Sequence, residues 1–124
     1  MSATQLAQTA YRSAAAPIRT DRSAEYGAFE TVTSALARAA KPGAKMPAIA
    51  AAIYDNRRLW TVLTVDLASP DNGLPDELRA QLLYLAEFSL LHSRKALQDP
   101  SLIEPLIDVN RSVMRGLDGI AGPT

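Results

Sequence analysis

The best candidate for an interaction site is a short segment in which two arginines precede the only tryptophan of the chain. Residues 55–60 read Asp-Asn-Arg-Arg-Leu-Trp and lie in a longer segment whose apolar residues recur at helical spacing. Arginine and tryptophan are enriched at protein interfaces, whereas a helix that only fills a core gains little from two adjacent arginines. Successive helical residues point about 100° apart, so Arg57 and Arg58 cannot both lie in the core. The segment therefore predicts either a partner-binding surface or a pair of solvated cations.

Two asparagines each interrupt the apolar stripe of a predicted helix. Asn56 lies between Ile53 and Trp60, and Asn110 lies between Ile107 and Met114. A buried amide costs free energy unless its hydrogen bonds are made, so such residues usually fix helix register or bond to one another. We expect this structural role first, and capture of a ligand's backbone groups as the alternative.

The residue pattern gives no indication of catalysis or metal binding. His92 is the only histidine, and no nucleophile or orienting carboxylate stands at a recognisable spacing from it. Arg94 and Lys95 follow it near a predicted helix end, where cations complement the helix dipole without any further function. The chain has no cysteine and no glycine-rich phosphate loop. We expect no enzyme activity, no metal and no cofactor.

Length and composition bound the class of protein. The 124 residues can bury about two-thirds of the surface that the unfolded chain would expose, which is enough for a core without disulfides. Thirteen basic residues balance thirteen acidic ones, so the chain lacks the excess charge that holds a polyanion such as DNA. No stretch approaches the roughly 18 apolar residues of a membrane span, and no signal peptide precedes the first helix. We expect a cytoplasmic protein with no membrane contact.

Five segments have the hydrophobic spacing of helices, and none alternates with period two as a strand would. The pattern predicts an all-α bundle of about five helices in a single domain, residues 1–124. The first helix, residues 4–15, is rich in alanine and buries little, so we expect residues 1–16 to dock loosely or move. Pro17 should end it, and the second helix should open near Thr20 or Asp21. Residues 118–124 should fray.

Turn-forming and capping residues mark the other helix ends. Lys41-Pro42-Gly43 should end the second helix, and Pro47 suits the first turn of the third. Residues 69–74, Ser-Pro-Asp-Asn-Gly-Leu, predict a turn before the fourth helix, whose broad apolar surface suggests a central position. The fifth helix should run from about Glu104 to Gly116 or Leu117. The third helix has one apolar stripe, interrupted by one amide: Ile49, Ile53, Asn56, Trp60, Leu63 and Leu67.

Several short motifs in order resemble the FlaF family of flagellar biosynthesis proteins, found in the alphaproteobacterial flagellar system. The resemblance extends from about Tyr11 to Leu117 and is more specific than any one motif. It rests on Glu-Tyr at 25–26, Asp-Asn-Arg-Arg-Leu-Trp at 55–60, Leu-Pro-Asp-Glu-Leu-Arg at 74–79, Tyr-Leu-Ala-Glu-Phe at 84–88, His-Ser-Arg-Lys at 92–95, Val-Asn at 109–110 and Val-Met-Arg-Gly-Leu at 113–117.

The resemblance implies a cytoplasmic factor that binds flagellin as an export chaperone, promotes its synthesis and secretion, and counterbalances FlbT, a repressor of flagellin translation. Flagellin termini form amphipathic helices only when packed, and an apolar groove on a helical protein can cover such helices. The family has no catalytic residues to transfer. The matching positions that resemble an interface are the predicted partner-binding residues: Trp60 and Tyr84 as apolar anchors, Arg57, Arg58, Arg94 and Lys95 as cationic clamps, and Asn56 and Asn110 as caps or pins.

Two other functions remain open at the level of sequence. The chain could regulate flagellin messenger RNA together with FlbT, or it could be an adaptor that bridges FlbT to another protein. Binding to RNA phosphates weakens steeply as salt rises, whereas capture of an apolar helix changes little. The balanced charge and the lack of an aromatic stacking platform favour the chaperone.

Overall fold

Four α-helices form nearly all of the chain that the computed structural model describes, residues 15–121, with side-chain surroundings described for residues 25–116. They are α1 (Ala15–Ala39), α2 (Met46–Ala68), α3 (Asp76–Gln98) and α4 (Glu104–Ala121), and a short 3-10 helix, Pro100–Leu102, joins the last two. The described residues contain no strand, which confirms the all-α class.

Local sequence signals explain most of the helix ends. Pro47 lies in the first turn of α2, where its missing N–H has no helical acceptor to lose. Asp76 and Glu77 open α3, where acidic side chains favour the positive end of the helix dipole. The carboxylate of Asp99 accepts the backbone N–H of Ser101 at 3.1 Å and so caps the 3-10 helix. The starts of α2 and α3 agree with their predictions within a residue or two, whereas the 3-10 helix has no counterpart in the prediction.

Two turns separate α1, α2 and α3. Gly43 has a φ of 89°, in the left-handed region that favours glycine, and it turns the chain between α1 and α2. In the next turn the side chain of Asn72 accepts the backbone N–H of Leu74 at 3.0 Å. Residues 69–74 thus form the predicted turn, and the Asn72 side chain makes it an Asx turn.

The N-terminal half of the fold differs from the prediction. A single helix, α1, starts at Ala15 and runs through Pro17, so the expected break at Pro17 and the new start near Thr20 or Asp21 are wrong. Pro17 is the third residue of α1, and a proline in the first turn costs no hydrogen bond. The predicted first helix at residues 4–15, and most of the segment 1–16 expected to move, lie outside the described residues. Four helices, not about five, are therefore described.

The C-terminal helix is longer than predicted. α4 runs to Ala121, beyond the expected end at Gly116 or Leu117. Glycine inside a helix costs roughly 1 kcal/mol relative to alanine, and the rest of a helix readily outweighs that cost. Residues 122–124 of the predicted frayed tail lie outside the described residues.

The core consists of two clusters of buried apolar side chains. One cluster contains Leu36, Ala39, Ile49, Ala52, Ile53, Ala96, Ile103, Leu106 and Ile107. The other lies toward the opposite end of α2 and contains Phe29, Leu59, Trp60, Leu63, Leu67, Ala86 and Val113. All four helices contribute to both clusters, and α2 does so along most of its length.

α3 lies at the edge of the bundle, which corrects the expectation that it is central. It packs mainly against α2, and its buried residues are all small: Ala86, Ser89, Ser93 and Ala96. Tyr84 and Leu91 on its outer face are 69% and 58% exposed. Small side chains allow α3 to approach α2 closely, while its larger apolar side chains are left at the surface.

Candidate partner-binding groove

The inward face of α2 is the stripe that the sequence predicts. Its six members are all at most 6% exposed: Ile49, Ile53, Asn56, Trp60, Leu63 and Leu67. The opposite face of the same helix also has a repeat with alternating spacings of three and four. It consists of the exposed residues Pro47, Ala51, Tyr54, Arg58, Thr61, Val65 and Ala68. Only one of these carries a charge, so α2 presents a largely apolar surface to solvent as well as to the core.

An open groove of about 440 Å³ lies on the side of α2 that adjoins α3. Ala50, Ile53, Tyr54, Thr61 and Val62 of α2 line it, together with Leu97 near the end of α3. Tyr54 is 60% exposed although its ring is large and mostly apolar. Exposed apolar surface of this kind, bounded by polar groups, is typical of a protein-binding site.

Arg57 and Arg58 complete the groove lining. Arg57 is half-buried and Arg58 is exposed, as expected for neighbours that point about 100° apart. Neither guanidinium forms a hydrogen bond or a salt bridge with any residue that the structure describes. The structure thus brings these two predicted residues into one groove, with their donors available.

The predicted anchor Trp60 is fully buried. Its indole Nε1–H donates to Asn110 Oδ1 at 2.9 Å, and Asn110 Nδ2 donates to Asn56 Oδ1 at 2.7 Å. The ring of Phe29 meets the indole edge-on, with centroids 5.4 Å apart. All three polar side chains are 0% exposed, so in this conformation they tie α2 to α4. A partner could reach them only if the bundle opened.

The remaining predicted residues are on α3. Tyr84, Arg94 and Lys95 are exposed, and none of the three lines the groove. The structure therefore separates the eight predicted residues into a buried network, a pair of arginines in the groove and a group on the outer surface of α3. Their partner-binding roles stay predictions.

Six of the eight residues that line the groove are not among the predicted partner-binding residues: Ala50, Ile53, Tyr54, Thr61, Val62 and Leu97. A signal for Tyr54 and Thr61 is present in the second repeat of α2, in which Tyr54, Arg58, Thr61 and Val65 recur at spacings of four, three and four. A helix that is apolar on two faces needs cover on both of them.

His92 has a structural partner. Because a backbone carbonyl can only accept, the half-buried imidazole donates from Nε2 to the carbonyl of Leu102 at 2.7 Å. Its ring also stacks on Phe88, with centroids 5.1 Å apart. This contact holds the end of α3 to the 3-10 helix. Within the described residues no group of three histidine, aspartate or glutamate side chains could hold a metal ion.

A comparison with known protein families matches residues 7–117 to the family described as flagellar protein FlaF. The chain belongs to the FlaF family. The match covers α2 and α3 completely, and with them the whole groove. This FlaF family member is therefore a flagellar protein. No curated protein and no solved structure matches it. None of the helices in the described part is both long and apolar enough to span a bilayer.

Proposed function

We propose that this protein binds flagellin in the cytoplasm as an export chaperone, and that it promotes flagellin synthesis and secretion in this way. The observation that carries the proposal is the groove on α2, an apolar surface with two unpaired arginines in a protein of a flagellar family. Grooves of this kind bind amphipathic helices, whose apolar side chains at positions i, i+3, i+4 and i+7 fill the groove.

Binding of this kind needs no cofactor and no making or breaking of covalent bonds. Covering an apolar helical face keeps it from aggregating, and releasing it at the secretion apparatus requires only a competitor for the same face. The groove fits such reversible capture because it is open to solvent and has no acidic residue in its lining. We therefore assign the protein to binding modules and not to enzymes.

The test is calorimetry with purified flagellin encoded in the same genome, at protein concentrations near 100 μM, where even weak affinity is measurable. We expect binding with a negative heat-capacity change, because apolar surface is buried. No heat at any temperature and no comigration in gel filtration would refute the chaperone.

Substitution of two exposed tyrosines tests whether the groove is the binding surface. Tyr54 lies in the groove and Tyr84 lies on the outer face of α3, at 60% and 69% exposure. We expect Tyr54→Ala to weaken flagellin binding by about tenfold or more, and Tyr84→Ala to leave it unchanged. The reverse result would move the site to α3, where the sequence places Tyr84, Arg94 and Lys95.

Salt dependence tests the alternative of post-transcriptional regulation with FlbT. Affinity for flagellin messenger RNA that falls steeply with salt, with no affinity for flagellin itself, would favour that function. Binding to FlbT alone would favour an adaptor.

A further inference from the structure

The groove differs in charge from a neighbouring surface pocket of the same fold. In a pocket of about 300 Å³ between α2 and α3, Arg79 is paired with Asp76 at 2.9 Å. In the groove, Arg57 and Arg58 have no such partner among the described residues, and the lining contains no carboxylate. Guanidinium groups beside apolar surface are costly to cover unless the covering partner supplies acceptors. The electrostatic complement of the groove is therefore acidic.

A second copy of the chain does not supply that complement. In a two-fold symmetric pairing each copy presents the same surface. The exposed repeat of α2 runs from Pro47 to Ala68, so antiparallel pairing about its middle would place Arg58 against Arg58 of the other copy. Like charges placed opposite each other are unfavourable, which argues for a different partner.

The groove dimensions limit the length of the occupant. From Ala50 to Val62 the lining residues of α2 extend over about 18 Å at 1.5 Å per residue, which corresponds to about three helical turns. The arginines occupy the middle of this length, between Tyr54 on one side and Thr61 on the other. A helix that fills the groove thus meets apolar surface at both ends and cations at its centre.

Resting on the proposed function, we propose that the groove on α2 takes a helical segment of flagellin about three turns long, with apolar side chains on one face and one or two carboxylates at its centre that pair with Arg57 and Arg58. Arginine suits this role because its planar fork binds a carboxylate through two hydrogen bonds at once. The carboxylates fix the register of the segment in the groove, and its apolar ends provide most of the buried apolar area.

Charge reversal tests the proposal with full-length protein and full-length flagellin. We expect Arg57→Glu/Arg58→Glu to weaken binding by about 30-fold or more, because the groove then repels the carboxylates it should pair with. The matched control is Arg111→Glu/Arg115→Glu, which makes the same charge change at two exposed arginines of α4. The control should bind like the wild type. An equal loss in both variants would mean a general charge effect and would overturn the proposal.

These measurements distinguish failure of the acidic-segment proposal from failure of the chaperone proposal. If wild-type protein binds flagellin and the reversed variant binds equally well, the acidic segment is wrong and the chaperone stands. If wild-type protein does not bind flagellin, both fall. If circular dichroism shows that the double variant does not fold, Arg58→Glu is tested alone. Arg58 is exposed, so this single change should not disturb the fold.

Cross-linking identifies the occupant directly. The chain contains no cysteine, so Thr61→Cys gives one site for a benzophenone label in the groove, and Glu87→Cys gives a control site on the exposed face of α3. We expect the groove label to react with a flagellin segment that carries aspartate or glutamate within a helical apolar repeat, and the control label not to react there. Reaction with another copy of the chain, with residues 1–14 of the same chain, or with a segment that lacks a carboxylate would overturn the proposal.

Discussion

Replacing Asn110 with leucine should destabilise the fold strongly, because Asn110 satisfies two buried partners at once. It accepts from Trp60 Nε1 and donates to Asn56 Oδ1, and all three side chains are 0% exposed. Each buried polar group left without a partner costs about 1 to 3 kcal/mol, so two such groups cost about 2 to 6 kcal/mol. That is a large part of the roughly 5 to 15 kcal/mol by which a typical domain is stable.

A second substitution should recover part of this loss. In Asn56→Ala/Asn110→Leu the acceptor on residue 56 is gone, and so is its Nδ2 group, which has no hydrogen-bond partner among the described residues even in the wild type. Only the indole N–H of Trp60 then remains unpaired. The smaller side chain at position 56 also leaves room for part of the extra volume of leucine at position 110, and changes that add less volume cost less in a core. We expect the double variant to be about 1 to 3 kcal/mol more stable than Asn110→Leu alone.

Urea unfolding measures both the stability lost in Asn110→Leu and the stability recovered in the double variant. Circular dichroism follows the helices, and fluorescence follows Trp60, which is the only tryptophan and part of the network itself. Coincident transitions would justify a two-state free energy of unfolding. Gln81→Leu, an exposed amide on α3, is the control and should change stability by less than about 0.5 kcal/mol. A cost below about 1 kcal/mol for Asn110→Leu, or a double variant that is less stable than Asn110→Leu alone, would contradict this role of the buried network.

Three further changes test the fold. Trp60→Ala should cost about 3 to 5 kcal/mol and reduce the helical signal in circular dichroism, since the ring is fully buried; a stable variant that has lost only partner affinity would contradict this. Gly43→Ala should lower the melting temperature through a loss of about 1 kcal/mol at positive φ, whereas the control Gly27→Ala, within α1 and with open space for a methyl group, should raise it. His92→Phe should keep the stacking on Phe88 but lose the bond to the Leu102 carbonyl, for about 0.5 to 1.5 kcal/mol in urea unfolding; equal stability would show that the bond contributes nothing.

Patterns that depend on local chemistry are the ones that the sequence predicts well. Pro47, the acids at the start of α3 and the asparagine of the turn before it act within a few residues, and each is found in its expected role. Pro17 shows the limit of such signals. The same proline can follow a helix end or occupy a helix's first turn, and only the position of the preceding residues decides between the two.

Burial on α3 depends on what lies against it, which the sequence does not give. Its apolar side chains suggest a central helix, yet one main neighbour leaves Tyr84 and Leu91 at the surface. The groove also depends on which helices pack against each other. Arg57 and Arg58 are recognisable from their residue types, whereas Leu97 joins them only because the end of α3 packs beside the start of α2.

The buried network and the groove are coupled through the rotation of α2. Asn56 precedes Arg57, and Trp60 precedes Thr61, so the residues that hold α2 against α4 alternate with residues that line the groove. A change of one residue in register would turn the helix by about 100° and carry the arginines away from the groove. An apolar core alone tolerates such shifts, because one aliphatic side chain can replace another. The directional bonds from Asn110 to Trp60 and Asn56 do not, so the interior amides fix which residues α2 presents at the groove.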